Sequence, residues 1–476
     1  EKIQTNLGVK QGCILSPTLF NFYINDLPQI FNDPECKPIT LFAEKISCLM
    51  YADDLIIMST DKNGLQKCLN KLKEYCTTWK LEVNTEKTKI MIFNKNGKTL
   101  SNQVLFYDGT QLEVVKEYKY LGVIFDICGS GHRPAHYLKD KAAKAMYKIL
   151  HTLGGRMGDC KIGLHLFNHM VKPILLYSDS VWGAHINNFA ELLKENTPHF
   201  KKYFTKVAYE TLHLKYLKRL LGVHSKATNI AVYSELGVLP LVLEVAVDTV
   251  KFWLHTIKAE TSSVLYDCYQ YQVSVVQEEK CWLSTVKDIL TTLGFEEVWY
   301  NQTVQNEKCF IRQFKDVIHH RFVTQLKGQM YNDEGTEDGN KLRTYRKFKD
   351  DFKLEPYLYE QRDFSLRRNI TKLRISAHDL MVEQGRYHRP QKLELRERKC
   401  IQCNTEMVED EKHVIMQCAK YDSERAKLMT VAQDEGVDMN AGHHGIFLAI
   451  MKCTSTGTHK QLALFLKHVE VTRGRL

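Results

Sequence analysis

The sequence predicts an α/β region followed by mainly helical domains and a small metal-binding module near the end of the chain. Three observations lead to this prediction. Short β-favouring runs alternate with helical periodicity through about residue 127. Residues 160–330 show helical periodicity with aromatic and leucine-rich faces. Cysteines and a histidine then cluster at ligand spacing from residue 400 onward.

The α/β region begins with a predicted helix over residues 17–31, after the Ser16-Pro17 entry signal. Its apolar face comprises Leu19, Phe20, Tyr23, Ile24, Leu27 and Phe31. A second helix is predicted over residues 65–79, and a strand over 89–93. Asp108-Gly109 then predicts a tight hairpin turn. These elements together predict a sheet packed with helices.

The most informative local feature is the segment 49–58, in which Asp53 and Asp54 interrupt an apolar, β-favouring run. The pattern predicts a buried hairpin whose two-residue turn consists of the two acids, so that both carboxylates lie in one small volume. Two charges this close repel each other unless a cation lies between them. Mg²⁺ prefers oxygen ligands and suits phosphoryl or nucleotidyl transfer. On these residues alone, a solvated acidic turn remains an equal alternative.

A helix predicted over residues 136–153 carries Lys141, Lys144 and Lys148 on one face, and Gly154-Gly155 marks its end. On these residues alone, a solvated helix face is the favoured interpretation. The alternative is contact with the phosphates of a nucleic-acid duplex, each contact adding affinity that is independent of base sequence. Farther along, the acidic, glycine-containing loop 333–340 is the best internal boundary.

Near the end of the chain, Cys400, Cys403, His413 and Cys418 form the pattern C-x2-C-x9-H-x4-C. Three thiolates and one imidazole are the donor set of a closed, tetrahedral, structural Zn²⁺ site. The alternative is a chance grouping in a chain that has 14 cysteines.

A basic run precedes the first ligand and is interleaved with Tyr387 and His388. This mixture fits phosphate contacts together with stacking on single-stranded RNA. Its cations are Arg367, Arg368, Lys372, Arg374, Arg386, Arg389, Lys392, Arg396, Arg398 and Lys399.

Composition sets wider bounds on the class of protein. The chain has 476 residues, and its 44% hydrophobic content argues against disorder as the default. The net charge of +10 favours a polyanionic partner, although weakly. The cysteines are scattered through predicted cores, which indicates reduced thiols in the cytosol or nucleus. No apolar run reaches the roughly 20 residues that span a bilayer, so a membrane protein is not expected.

Further motifs occur in a fixed order around the acidic pair. They are residues 8–20 (GVKQGCILSPTLF), 81–89 (LEVNTEKTK) and 118–123 (YKYLGV). In this order they resemble the palm of a reverse transcriptase. Residues 235–237 with 240–241 and Trp253, and then 373–378 and 385–387, are similar to the C-terminal region of LINE-type non-LTR retrotransposon polyproteins. The resemblance therefore spans nearly the whole chain.

The resemblance implies roles for individual residues. The acidic pair would bind catalytic Mg²⁺, and Tyr51 would pack near the primer terminus. Gln11 and Gly12 would lie against the templating base and the incoming nucleotide. Lys87 would lie near the triphosphate, where an ammonium group can donate a proton to pyrophosphate.

The resemblance also implies an order of domains: a partial palm over 1–127, a helical thumb over 128–225, a helical C-terminal domain over 226–332, and a basic region with the zinc module and a final helix over 341–476. In the family, another catalytic aspartate lies on a strand before the Gln-Gly motif. That strand has no counterpart here, so we expect a fragment that is inactive alone, because two-metal chemistry normally needs the third carboxylate.

The implied activity is RNA-directed DNA synthesis. Its expected partners are template RNA, a DNA primer or target, deoxynucleoside triphosphates, Mg²⁺ and Zn²⁺, within a ribonucleoprotein of the nucleus and cytoplasm. The rival hypothesis is a non-catalytic RNA- or DNA-binding protein derived from a decayed or repurposed element.

Overall fold

The computed structural model describes residues 8, 12–42, 44–94, 104–152, 159–194, 206–333 and 339–474. Contacts divide the chain into two compact units. The first consists of Glu1–Pro134 and Phe252–Val286, and the second consists of Ala135–Lys251 and Lys287–Leu476. The boundaries of the four predicted domains remain a prediction, because the two compact units do not follow them.

Helices dominate the described residues. The first ten are α1 (Ser16–Tyr23), α2 (Lys62–Thr78), α3 (His132–Thr152), α4 (Cys160–Leu166), α5 (Lys172–Leu175), α6 (Asp179–Ile186), α7 (Phe189–Leu192), α8 (Ala208–Leu221), α9 (Asn229–Leu236) and α10 (Leu241–Thr256). The others are α11 (Val264–Val275), α12 (Trp282–Thr292), α13 (Glu296–Asn301), α14 (Glu307–Tyr331), α15 (Tyr357–Glu360), α16 (Phe364–Arg374), α17 (Met381–Gln384), α18 (Glu411–Met416), α19 (Asp422–Asp434), α20 (Gly442–Lys452) and α21 (Thr456–Thr472).

Among the described residues, all the strands lie in the first unit. They are β1 (Ile39–Leu41), β2 (Glu44–Ile46), β3 (Cys48–Tyr51), β4 (Asp54–Ile57), β5 (Lys89–Met91), β6 (Phe106–Tyr107), β7 (Thr110–Gln111), β8 (Glu113–Val115), β9 (Glu117–Tyr120) and β10 (Val123–Asp126). They form five two-stranded sheets, of which only β5–β8 is parallel. The predicted α/β class is therefore present, but strands this short build separate ribbons among the described residues rather than one sheet.

Helix α2 forms one wall of the core of the first unit. The side chain of Asp61 caps its first turn by accepting a hydrogen bond from the amide of Gly64. The predicted helix over 65–79 is thereby confirmed, with a start at Lys62. The predicted strand over 89–93 ends early, at Met91. The buried face of α2 packs with the β6–β7 hairpin and with Ile24, Leu27 and Phe31.

The predicted helix over residues 17–31 is wrong in its length. Helix α1 ends at Tyr23, and a short 3₁₀ turn, Leu27–Phe31, follows it. Pro28 explains the break, because its ring would clash with the carbonyl of Ile24 in a continuous helix. The apolar face is divided accordingly: Leu27 and Phe31 are buried, whereas Leu19 is exposed.

Helix α3 carries the predicted apolar face into the second unit. Leu138, Ala142, Met146 and Ile149 are buried along it. The helix begins at His132, earlier than predicted, while Leu153 and the two glycines that follow lie outside the described residues. Farther along the unit, the final helix α21 packs against α16 and α19.

A buried ionic cluster joins distant parts of the second unit. The fully buried carboxylate of Glu235, at the end of α9, accepts a hydrogen bond from Arg374 Nε at 2.6 Å. It also accepts hydrogen bonds from the hydroxyls of Tyr345 (2.9 Å) and Tyr357 (2.7 Å). Residues 235–237 and 373–378, two segments on which the resemblance was based, are therefore in direct contact.

Gly237, which follows α9, shows why this segment needs glycine. Its φ of +61° lies in the left-handed region, and a Cβ there would meet the backbone nitrogen of Leu354 at 2.6 Å. The turn therefore brings two backbone segments closer than a side chain would permit.

No single helix in the described part of the chain is long and apolar enough to span a membrane. Among the described residues, only α9 and α10 taken together reach the length and hydropathy of a membrane-spanning helix, and the chain bends by 69° between them.

Candidate metal centres

The acidic pair lies at the end of the β3–β4 hairpin. Tyr51 pairs directly with Asp54, so the two-residue turn consists of Ala52 and Asp53, with Ala52 in the left-handed region at φ 52°. The prediction that both acids form the turn is therefore wrong by one residue. Asp53 and Asp54 are both exposed, as expected for carboxylates that can receive a cation.

The two faces of this hairpin differ. The cross-strand pair Met50 and Leu55 packs against the core of the first unit, as do Cys48 and Ile57. Because successive side chains alternate between faces, the pair Tyr51 and Asp54 lies on the opposite, exposed face. The predicted fully buried hairpin is thus half-buried, and its open face carries the predicted catalytic residues.

A second hairpin, β9–β10, approaches this open face. Burial raises the pKa of the Tyr120 hydroxyl, and the nearby negative charge of Asp54 raises it further. The neighbouring strand residue Tyr118 donates a hydrogen bond to the carbonyl of Lys87 at 3.3 Å. The structure therefore brings the acidic hairpin, the turn before β5 and the segment 118–123 together at one site.

The remaining predicted substrate residues are described only in part. Lys87 is exposed on a turn in which its amide bonds to the side chain of Asn84. Gly12 is exposed at φ +82°, and no atom of the described residues lies within 4 Å of a Cβ built there, so its backbone conformation explains the glycine. Gln11 lies outside the described residues.

The Cys/His cluster has the geometry of a metal site. One donor atom each from Cys400, Cys403, His413 and Cys418 lies within 4.8 Å of all the others. The sulfurs of Cys400 and Cys418 are 3.9 Å apart, and Cys403 Sγ lies 3.4 Å from His413 Nε2. Tetrahedral Zn²⁺, with Zn–S near 2.3 Å and Zn–N near 2.0 Å, requires edges of roughly 3.8 and 3.5 Å. The donors therefore fit zinc, with Nε2 as the ligand nitrogen.

Two local elements position these donors. A bridge between Lys399 and Val408 closes a small hairpin that holds the first two cysteines. Helix α18 holds His413, whose amide is capped by Asp410 Oδ1 at 2.7 Å. The amide of Cys418 then bonds to the carbonyl of His413 at 2.8 Å, which returns the fourth ligand to the site.

Burial shapes the protonation of the donors. It raises the pKa of the Cys400 and Cys418 thiols and lowers the pKa of the His413 imidazole. At Cys403 burial also raises the pKa of the thiol. Hydrogen bonds, the largest of them from Thr405, outweigh this effect, so the pKa is lowered. The imidazole is thus available as a neutral ligand, and the buried thiols gain from a cation that stabilises their thiolates.

Two buried glutamates, which sequence reasoning missed, attach the cluster to the helical unit. Glu409 accepts hydrogen bonds from Cys400 Sγ at 3.7 Å and from the amide of Met381 at 2.8 Å, and it pairs with Arg473. The sequence gives little indication of these two glutamates. They flank Asp410, which caps the helix, and they lie just before the ligand His413.

Glu411 is the second of these glutamates. Burial acts against its charge, yet the hydrogen bond from His378 and the positive charge of Arg343 leave its pKa lowered. His378 Nε2 lies 3.0 Å from Glu411 Oε1, and Ser376 Oγ donates to the same oxygen at 3.2 Å. The segment 376–378 is therefore fixed to the helix that carries His413.

The basic run before Cys400 is not one exposed surface. Arg367, Arg374 and Arg398 are buried, and Arg398 donates to backbone carbonyls. Arg368 and Lys372 both pair with Glu470. The expectation of a continuous RNA-binding stretch is thus wrong for these residues, because intramolecular partners neutralise or bury their charges.

Arg386 and Arg389, two further members of this run, differ in exposure. Arg386 keeps only 9% of its side chain exposed and donates to Glu383 Oε1 at 3.2 Å, which argues against a phosphate contact. Arg389 is exposed. On α3, by contrast, Lys141, Lys144 and Lys148 are all exposed, opposite the buried face.

Comparisons with known proteins agree with the first unit's motifs. Residues 1–125 match the family model described as reverse transcriptase (RNA-dependent DNA polymerase). The chain is 26% identical over 196 residues to the RNA-directed DNA polymerase from mobile element jockey of Drosophila melanogaster, a match covering 38% of this chain and 20% of the relative. It is 31% identical over 134 residues to a Pol polyprotein from retrotransposable element R2 of Nasonia vitripennis, covering 26% and 12%.

A putative transposon-derived protein of Caenorhabditis elegans is 31% identical over 137 residues, covering 28% of this chain and 48% of the relative. All three matches thus span less than half of each relative's length. Residues 1–125 are therefore similar to the reverse transcriptases. The relatives with a named activity or element are an RNA-directed DNA polymerase and a Pol polyprotein of mobile and retrotransposable elements.

Proposed function

We propose that this chain serves template-directed DNA synthesis on the RNA of a non-LTR retrotransposon, through a palm site that contains Asp53 and Asp54. One observation carries the proposal: Tyr118 donates a hydrogen bond to the carbonyl of Lys87, and Tyr120, two residues along the same strand, lies near Asp54. Three separate motifs thereby converge on one exposed face within a domain that matches the reverse transcriptases.

The chemistry of the side chains supports nucleotidyl transfer. Asp53 at the turn and Asp54 at the start of β4 present carboxylate oxygens to solvent, where a primer end and a triphosphate have access. Bound Mg²⁺ would activate the primer hydroxyl and offset the charge of the leaving pyrophosphate. Lys87 would supply positive charge toward the triphosphate, and Tyr51 an aromatic surface toward the primer.

In the part of the chain that the structure describes, the proposed site contains two carboxylates, those of Asp53 and Asp54. Among the described residues, no third acid joins Asp53 and Asp54 in a group close enough to hold an ion. We therefore expect that the purified 476-residue chain gives no Mg²⁺-dependent primer extension on an RNA template. Clear extension that Asp53→Asn abolishes would show that this pair suffices, and would overturn the assignment of a missing ligand.

The alternative, a non-catalytic RNA- or DNA-binding protein, rests on the exposed cations of α3 and on the Cys/His cluster. It predicts nucleic-acid binding whose affinity is unaffected by deoxynucleoside triphosphates and Mg²⁺. A polymerase palm should instead bind primer–template more tightly when the correct triphosphate is present. Filter binding with matched and mismatched triphosphates separates the two functions.

A further inference from the structure

A cleft at the junction of α8 and α9 has no role in the proposed polymerase site. Its volume is about 690 Å³, within the range of about 300–1,000 Å³ typical of small-molecule sites. The apolar part of its lining includes Leu214, Val223 and Ile230. Four cations also line it, namely Lys215, Lys218, Arg219 and Lys226, and no acidic residue does so within the described part of the chain.

The local fold explains why the cations converge. Thr211, Leu214, Lys215 and Lys218 follow helical spacing and therefore share one face of α8. The chain then turns at Gly222, where φ is +70° and a Cβ would meet Phe364 of α16 at 2.8 Å. Glycine therefore permits this turn to lie close to α16, and Lys226, which follows the turn, lines the same cleft.

Lys218 is the innermost of the four cations. Its ammonium donates to the carbonyl of Ser225 at 2.6 Å, and burial lowers its pKa to about 8. A partly buried cation that has no carboxylate partner among the described residues gains from an incoming anion, because that anion restores part of the lost solvation. The first turn of α9 adds backbone amides at the same place, since Thr228 does not cap it with its side chain.

An aromatic side chain extends the cleft toward α3. Tyr147 is 42% exposed, with Lys215 Nζ at 5.2 Å and Arg219 Cζ at 5.0 Å from its ring centre. Lys144 lies three residues before Tyr147 on α3, so this exposed lysine continues from the cleft. Aromatic surface beside cations is the combination used for unstacked nucleotides.

We propose that the α8–α9 cleft binds a nucleotide, with its phosphate on the four cations and its sugar or base on the apolar floor. The nucleotide comes either from a single-stranded nucleic acid or from the free pool. Nonspecific attraction of a polyanion to surface cations would require neither the apolar floor nor the partly buried Lys218. The site is separate from the palm and does not depend on polymerase activity.

The first test measures binding of a fluorescent single-stranded RNA to the whole chain by anisotropy. The cleft variant is Arg219→Glu with Lys226→Glu, since both side chains are exposed and the core is left intact. The matched control is Lys308→Glu with Lys460→Glu, which changes the net charge equally at exposed positions outside the cleft. Circular dichroism checks that both variants fold.

We expect the cleft variant to lose roughly 10- to 100-fold in affinity and the control about twofold or less. The slope of log affinity against log salt should fall by about 1.4 in the cleft variant, because single strands contribute about 0.7 for each phosphate contact. Equal losses in both variants, or an unchanged slope, would overturn the proposal.

Competition with a mononucleotide identifies the source of the ligand. Release of RNA by millimolar uridine monophosphate, but not by equal inorganic phosphate, assigns the cleft to free nucleotides as well. Failure to compete, combined with the loss in the cleft variant, assigns it to a nucleic-acid strand.

A second measurement locates the contact directly. Lys218, with its lowered pKa, should react with an amine-acylating reagent at pH 8 faster than Lys308, and bound RNA should block the reaction at Lys218 alone. Equal modification of Lys218 with and without saturating RNA would overturn the proposal. Primer extension is not a readout here, so failure of the polymerase assignment leaves both measurements valid.

Discussion

At Asp179, burial and two neighbouring acids act against the charged form of a carboxyl group. The residue is 4% exposed, and burial, followed by the charges of Asp248 and Glu244, raises its pKa to about 8. Because this value exceeds the ordinary 3.8, the folded chain binds an extra proton between the two values. Its contribution to stability is therefore fully present below about pH 4 and is lost as the pH rises through about 8.

We predict that Asp179→Asn stabilises the chain at pH 8 and changes little at pH 4. The gain should be roughly 2–5 kcal/mol, since each pKa unit corresponds to about 1.4 kcal/mol. Urea unfolding at several pH values measures it. The exposed residue Asp316 offers a control, because Asp316→Asn should leave the pH profile unchanged. A loss of stability in Asp179→Asn at pH 8 would contradict the prediction.

Glu235 presents the opposite case, a buried acid that is fully paired. We predict that Glu235→Gln lowers the free energy of unfolding by about 3 kcal/mol or more, because Arg374 loses a charged partner in a dry environment. Glu244→Gln is the comparison, since it removes the partly exposed pair with Lys172 and should cost about 1 kcal/mol or less. Similar losses in the free energy of unfolding of the two variants would mean that the buried Glu235 cluster stabilises the chain no more than the partly exposed pair does.

The basic run shows that the sequence around an arginine does not reveal its partner in the folded chain. Its arginines suggest an RNA surface, yet Arg374 meets Glu235, which lies 139 positions earlier. Arg368 likewise meets Glu470, 102 positions later. Local patterns carry no information about such distant partners, so burial of these cations could not be predicted. The Cys/His cluster was predictable because its chemistry is encoded in short spacing alone.

Among the elements, the hairpins were the easiest to predict. Asp108-Gly109 forms the predicted tight turn, with both residues at positive φ. The acidic hairpin was predicted as well, but its register was not. Ala52 adopts a left-handed backbone conformation, and an alanine in the sequence does not indicate such a position. The helix over 17–31 failed since its apolar spacing outweighed the signal of Pro28 in the prediction.

The zinc module gives the element-scale prediction. We expect about one Zn²⁺ per chain, lost in Cys403→Ser, because the four donors lie within 4.8 Å of one another. Chelation should speed hydrogen exchange in α18 and in the hairpin that begins at Lys399, since the metal supplies folding free energy there. Helix α14, which carries none of the ligands, should exchange at an unchanged rate. Metal analysis and exchange mass spectrometry test both; zinc well below one equivalent would refute the site.

For the molecule as a whole, synthesis and binding should be separable. In a longer chain that supplies a third palm aspartate, we predict that Asp53→Asn abolishes primer extension yet changes RNA affinity about twofold or less. The reason is that Asp53 would serve the metal, whereas binding would rest on cations such as those of α3. Asp108→Asn, in another exposed turn, is the control and should retain activity. Substantial primer extension by the Asp53→Asn variant would mean that the acidic hairpin is an ordinary turn without a catalytic role.

The Glu235 cluster also has a consequence for synthesis of the chain on the ribosome. Glu235 is made 110 residues before Tyr345 and 139 before Arg374, so α9 emerges with a carboxylate whose partners do not yet exist. Burying that charge alone would be costly. We therefore expect the core around α9 to form only after residue 374 has been synthesised, so that folding of the second unit depends on translation through this residue.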